Sequence, residues 1–262
     1  MTALPLLLPL PLPLLSPDWP LPPGVGAAMS LRAGGISSAP YASLNLGVAV
    51  ADDPAAVAEN RARFTAAIAA RPVWLRQVHG CNVLKLTPEM ADSATPADAA
   101  WTTARGVACT VQVADCLPVL FALRDGSAVA AAHAGWRGLA AGVLEASVNA
   151  LCTGTGAAPA DVQAWLGPCI GPRRFEVGED VLRAFGQAPE LHDPQRFAVH
   201  SRTDGARRWL AHLPLLARDR LQAAGVTQIS SADECTVDAA SRFFSFRRDG
   251  VTGRHAAAIW RV

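Results

Sequence analysis

Hydrophobic and polar positions alternate along this chain in patterns that mix helices and strands. Over residues 54–70, Val57, Arg61, Phe64 and Ile68 fall at helical spacing, Pro54 suits a first turn, and Asp52 or Asp53 can cap it. Residues 73–78 and 107–113 read as strands ending at His79-Gly80 and at Ala114-Asp115-Cys116. Apolar runs at 117–123 and 128–133 read as two more strands, parted by the turn Arg124-Asp125-Gly126-Ser127. Gly135 to Gly138 break the pattern, and a helix follows over 139–152. A short strand is expected at 162–167, helices at 178–186 and 208–224, and two strands around a turn at 247–250 within 242–262. Without a strict βαβ period, this predicts an α+β or layered α/β arrangement. The expected organisation is a proline-rich segment, 1–27, ahead of one domain, 28–262.

Composition narrows the function classes. Hydrophobic residues make up 51% of the 262 positions, which excludes a disordered chain. The formal net charge of +1 leaves no basic footprint for nucleic acid. The cysteines at 81, 109, 116, 152, 169 and 235 form no CxxC pair, so free thiols in a reducing cytoplasm are expected. The apolar run 3–15 resembles a signal-peptide core. No Lys or Arg precedes it, however, and prolines 5, 9, 11 and 13 would break a spanning helix. A cytoplasmic protein with no membrane partner is the expectation.

Three potential ligands sit at predicted strand ends: His79, Cys116 and His133. Strand ends let side chains converge on a cleft while the backbone stays rigid. Two imidazoles and a thiolate with one open position describe a catalytic zinc site. The alternative is that Cys116 is a small buried hydrophobe and the histidines are hydrogen-bonded core or surface groups. Cys81, Cys109 and Cys152 read as packing, Cys169 lies in the turn GPCIGP, and His192 and His212 are expected to face solvent. Arg32, Arg137, Arg247 and Arg248 lie in loops close to glycine, where they can grip phosphate or carboxylate or pair on the surface. No GxGxxG or P-loop is present.

Read together, LRAGGISSAPYASLNLGVAVADDPAAVAENR (31–61), RQVHG (76–80), QVADCLPVLF (112–121), AAAHAGWRGLAAGVLE (130–145), WLGPCIGPRRFEVG (165–178) and FFSFRRDGVTGRHAAAIW (243–260) resemble the polyphenol-oxidase laccase-domain proteins, the YfiH family. That resemblance implies metal ligands at His79, Cys116 and His133 and a single α/β/β/α layered domain. It implies phosphorolysis of adenosine, inosine and methylthioadenosine, together with adenosine deamination. Copper-linked phenol oxidation and correction of peptidoglycan precursors are also ascribed to the family. Arg173-Arg174 and the proline-rich start depart from its pattern.

On this reading zinc, with copper as the other candidate, is the cofactor, and a nucleoside and phosphate are the partners of a monomer or homodimer. Cys116, His133 and Asp115 are the expected catalytic residues, with Glu176 a second candidate for moving protons. Arg61, Arg137 and Arg247 would neutralise phosphate, and Arg32 joins them as a candidate substrate contact. Ser43 and Asn45 would bond ribose or the base edge, and Phe243 and Phe244 would stack on the purine or pack in the core. A competing class is a metal-free cysteine hydrolase with Cys116 as nucleophile and His133 as base. Six scattered histidines without an H-x-H pair argue against a multicopper oxidase.

Overall fold

The computed structural model describes residues 12–262 except 91, 93, 94 and 203. Its core is two stacked mixed sheets. The first holds β1 (Leu14–Leu15), β2 (Val25–Ser30), β3 (Arg71–Trp74), β6 (Val107–Val113) and β14 (His255–Arg261), in the order β1-β2-β14-β6-β3. The second holds β4 (Val83–Lys85), β5 (Ala99–Thr102), β7 (Leu117–Leu123), β8 (Val129–Ala134), β9 (Val162–Leu166) and β13 (Gln228–Ser231), in the order β13-β9-β7-β8-β5-β4. A small third sheet joins β10 (Glu176–Val177), β11 (Phe197–Ser201) and β12 (Arg207–Ala211).

Side-chain alternation along each strand sets the layers. Cys109, Val111 and Val113 of β6 and Ala257 and Ile259 of β14 pack against Leu120 and Ala122 of β7 and Val129 and Ala131 of β8. This cluster is the filling between the sheets. The opposite faces of β6 and β14, through Ala108, Ala256 and Ala258, take Phe64 and Ile68 of α1 (Pro54–Ile68). The outer face of the second sheet, through Val119, Phe121, Ala130 and Ala132, is covered by α2 (Trp136–Ala141), α3 (Val143–Thr155), α4 (Glu179–Ala184) and α5 (Leu213–Ala223). The result is the expected α/β/β/α layering. Phe64 and Phe121 are fully buried; side chains of this kind each contribute about 1.5–3 kcal/mol by leaving water.

α1 begins as the sequence predicts, with the Asp53 side chain accepting the Ala55 N–H and Pro54 in its first turn. Several expectations change, among them the single helix over 139–152, which Gly142, with φ 98°, splits into α2 and α3. The boundary at residue 27 falls inside β2, and Leu14 and Leu15 pair with Ser30 and Met29, so the described part of the proline-rich segment is an edge of the first sheet. Residues 1–11, most of the apolar run 3–15, lie outside the described residues. The helix expected over 208–224 starts only at Leu213, because β12 pairs with β11 through Ala211 and the His212 side chain then accepts the Leu215 N–H. The tail holds one strand, β14, rather than two: the Ser245 side chain accepts from Arg248 N and starts a short helix, α6 (Phe246–Asp249). Among the described residues, no helix is long and apolar enough to cross a membrane.

Candidate functional site

His133 lies on β8 in phase with Val129 and Ala131, which points it into the layer between the sheets. Cys116 follows β6 after a tight reversal at Asp115, whose φ is 88°. His79 stands beyond the end of β3, with φ 62°. These are unusual backbone conformations for residues with side chains, and each is tied down by hydrogen bonds. Asp115 Oδ1 accepts from the Thr236 hydroxyl at 2.6 Å and Oδ2 from Arg247 N at 2.6 Å. Asp98, fully buried, accepts from the N–H groups of Val78, His79 and Gly80 at 3.1, 2.9 and 2.7 Å.

One potential donor atom each from His79, Cys116 and His133 lies within 4.8 Å of the others. His79 Nε2 is 3.9 Å from Cys116 Sγ, close to the roughly 3.6 Å between donors on a tetrahedral zinc with ordinary Zn–N and Zn–S bonds. The two imidazoles meet edge to face, with ring centroids 4.7 Å apart. Gly135 faces this triad. A Cβ there would come within 2.8 Å of His79 Cδ2 and 3.1 Å of Cys116 Sγ, so the space beside the donors depends on glycine. The donor set and the space kept beside it fit a borderline-soft ion such as zinc or copper.

Burial pushes the Cys116 thiol pKa up, but the charge on His133 and hydrogen bonds from His133 and His79 outweigh it and bring the net shift down. Burial likewise pushes the His133 pKa down, while Cys116 and the Asp98 hydrogen bond reverse that and carry it up. Cys116 therefore favours the thiolate, the form that ligates.

The triad stands in the wall of a cleft of about 680 Å³, within the range of small-molecule sites. Arg61, Arg76, Arg254, Trp74, Gln77 and Phe246 also line it. Arg61 lies 4.0 Å over the Trp74 ring, its Nε donates to Leu46 O at 2.9 Å, and it stands 3.7 Å from Asp92. Burial depresses the pKa of Arg61, partly offset by Asp92, and that of Arg254, partly offset by Cys116 and Asp115. A poorly solvated guanidinium gains from an incoming anion.

Of the sequence-predicted substrate contacts, Arg61 lines this cleft. Arg32 stacks on Phe244 at 5.1 Å and bonds Ala42 O. The Ser43 hydroxyl accepts Gly35 N, and fully buried Asn45 accepts from Gly47 N and Arg254 N. Exposed Arg137 covers Trp136, and Arg247 donates to the carbonyls of Arg174 and Glu176. Asp115 does not line the cleft; both its oxygens hold loop partners. Glu176 faces His200 at 3.3 Å, and Phe243 and Phe244 are fully buried against His255. His192 is partly buried edge-on to Trp209, and His212 caps α5, so neither is simply solvent-facing.

Asp98, Arg76, Gln77, Trp74, Phe246 and Arg254 did not emerge from sequence reasoning. For Asp98 the one available signal was a lone carboxylate in the run PADAAW.

The described residues bring together one group of His, Cys or carboxylate donors suited to an ion, which defines the class: a layered α/β domain with a three-donor group that could hold one metal ion. The chain belongs to the family described as multi-copper polyphenol oxidoreductase laccase, whose model matches residues 26–262. A Pseudomonas aeruginosa relative, named a purine nucleoside phosphorylase, is 50% identical over 247 residues, covering 94% of this chain and 97% of its own. The Escherichia coli purine nucleoside phosphorylase YfiH is 49% identical over 251 residues, covering 95% and 99%. A Neisseria meningitidis crystal structure assigned to DUF152 superposes with a TM-score of 0.85 at 42% identity, covering 95% of this chain and 98% of that one.

Proposed function

We propose that this chain is a zinc-dependent purine nucleoside phosphorylase that takes adenosine, inosine and methylthioadenosine and also deaminates adenosine. The observation that carries the reading is the His79–Cys116–His133 triad set in a nucleoside-sized cleft beside Arg61, Arg76 and Arg254. The names of the relatives support the same reaction.

In phosphorolysis, a phosphate oxygen bonds to ribose C1′ as the bond from C1′ to the purine nitrogen breaks. The bonding pair leaves with the base, which takes up a proton. Arg61, Arg76 and Arg254 bind the phosphate and offset its charge. Phe246, exposed at the cleft, offers an aromatic face to the base. The Gln77 side chain spans to β6, donating to Gln112 O at 2.8 Å and accepting from Gln112 N at 2.7 Å, and so fixes that wall. His79, Cys116 and His133 would hold the ion, which supplies Lewis acidity and lowers the pKa of water when bound. In deamination the oxygen of water replaces the amino group at C6 and ammonia leaves.

The close pairing of Cys116 with His133 also suits a metal-free cysteine hydrolase. The separating experiment is metal content by mass spectrometry, with adenosine turnover measured with and without phosphate, for wild type and Cys116→Ala. The expected result is about one zinc per wild-type chain, with zinc and phosphate-dependent adenine release lost together in the variant. A metal-free wild type that still turns substrate over, survives chelation and dies on alkylation establishes the hydrolase instead.

A further inference from the structure

Asp98 precedes β5 and is fully buried, yet its carboxylate has no role among the expected catalytic residues. Oδ1 accepts from His79 N at 2.9 Å and pairs with His133 Nδ1 at 2.8 Å. Oδ2 accepts from Val78 N at 3.1 Å and Gly80 N at 2.7 Å. Four N–H groups therefore converge on two oxygens, which compensates a charge that would be costly to bury alone. Three successive backbone N–H groups around one anion form a nest, and this nest holds His79 at its φ of 62°.

The fourth bond differs from the other three. Tying down the loop needs only the backbone donors of residues 78–80. The bond to the His133 ring does something else. A neutral imidazole can carry its proton on either nitrogen, and an acceptor at Nδ1 decides the matter. With Nδ1–H given to Asp98, Nε2 is left as the nitrogen with a free lone pair for the ion.

We propose that Asp98 is the positioning residue of the metal site, one carboxylate setting both the backbone that carries His79 and the tautomer through which His133 ligates. This inference rests on the metal reading above.

The test is Asp98→Asn. The asparagine oxygen can serve one side of the original carboxylate, and its NH₂ must then oppose either Val78 and Gly80 N–H or His79 N–H and the His133 ring. The zinc dissociation constant, measured by chelator competition, should rise by about 10- to 100-fold, as is usual when the outer partner of a ligating histidine is lost. Val148→Ala, a core change in α3, serves as the control for general destabilisation and should keep wild-type zinc affinity. A folded Asp98→Asn protein that binds zinc as wild type does would overturn the proposal and leave the metal reading standing. A wild type that binds no zinc removes both. If Asp98→Asn does not fold, ¹⁵N-histidine NMR of zinc-loaded wild type decides. A slowly exchanging His133 Nδ1–H is expected, and zinc on Nδ1 with the proton on Nε2 rules the proposal out.

Discussion

The Arg61 guanidinium lies 4.0 Å above the Trp74 ring, at the junction of α1, β3 and the cleft. Trp74 also packs against Phe64, with ring centroids 6.1 Å apart. One indole therefore joins the α1 core to the wall of the site. The stack fixes the plane of the guanidinium, and the Nε bond to Leu46 O fixes its rotation. Arg61→Lys keeps the charge but loses the stack and the planar fork. The KM for phosphate should rise on the order of tenfold or more, since a charge-assisted hydrogen bond is worth about 1.5–3 kcal/mol. Initial rates against phosphate concentration check this; an unchanged KM would remove Arg61 from the proposed phosphate site.

Gly135 has φ −64°, which any residue adopts, so an alanine there is opposed only by what its Cβ meets. What it meets is His79 and Cys116. Gly135→Ala should therefore lower bound zinc sharply while the metal-free protein melts within a few degrees of wild type. Metal analysis beside thermal unfolding of both forms tests this; full zinc occupancy in the variant would contradict it.

His255 supplies a pH dependence. Burial, with Arg32, Arg254 and Arg248 adding to it against the opposing effect of the Ser30 backbone, pushes its pKa down to about 3. Its Nε2 accepts the Phe244 N–H at 2.7 Å, a bond that only the unprotonated nitrogen makes. In the unfolded chain the same imidazole takes a proton near pH 6.5. Between about pH 6.5 and 3 the unfolded state thus binds more protons, so stability falls as pH falls through that window and is full above it. The contribution is at most ~1.4 kcal/mol per pH unit. Urea unfolding of metal-free wild type and His255→Gln at pH 7, 6 and 5 should show a shallower slope in the variant. Equal slopes would mean that His255 is protonated in the fold.

Asp115 was expected to move protons, and its geometry supports a different prediction. In Asp115→Asn, the amide oxygen can accept Arg247 N–H while its NH₂ donates to the Thr236 hydroxyl. The turn before Cys116 survives, so kcat should fall by less than about tenfold. Loss of a general acid or base typically costs 10²–10⁴. A pH–rate profile that loses one limb in the variant would restore Asp115 as the proton carrier.

Much of the fold was legible because strand alternation and capping are local. Asp53-Pro54 announces α1, and the apolar runs at 117–123 and 128–133 announce β7 and β8. The errors came where a local signal was overridden or overlooked. Residues 208–211 carry a helical pattern but are held in β12 by pairing with β11, and Pro214 marked the later start of α5. The candidate arginines looked alike in sequence, yet Arg32, Arg137 and Arg247 spend their stacks and carbonyl bonds away from the cleft, whereas Arg61, stacked on Trp74, lines it.

The sequence by itself determined the layered class, the span of most elements and the three donors, since each depends on residue type and on neighbours a few positions away. Tertiary structure alone decided that His79, Cys116 and His133, 37 and 17 residues apart, meet within 4.8 Å. It also decided that Asp98 holds two of them and that Arg61, Arg76 and Arg254 share their cleft. The reason is physical: a hydrogen bond from a backbone N–H carries no side-chain signature, so a nest around a buried carboxylate appears only once the chain has folded over it.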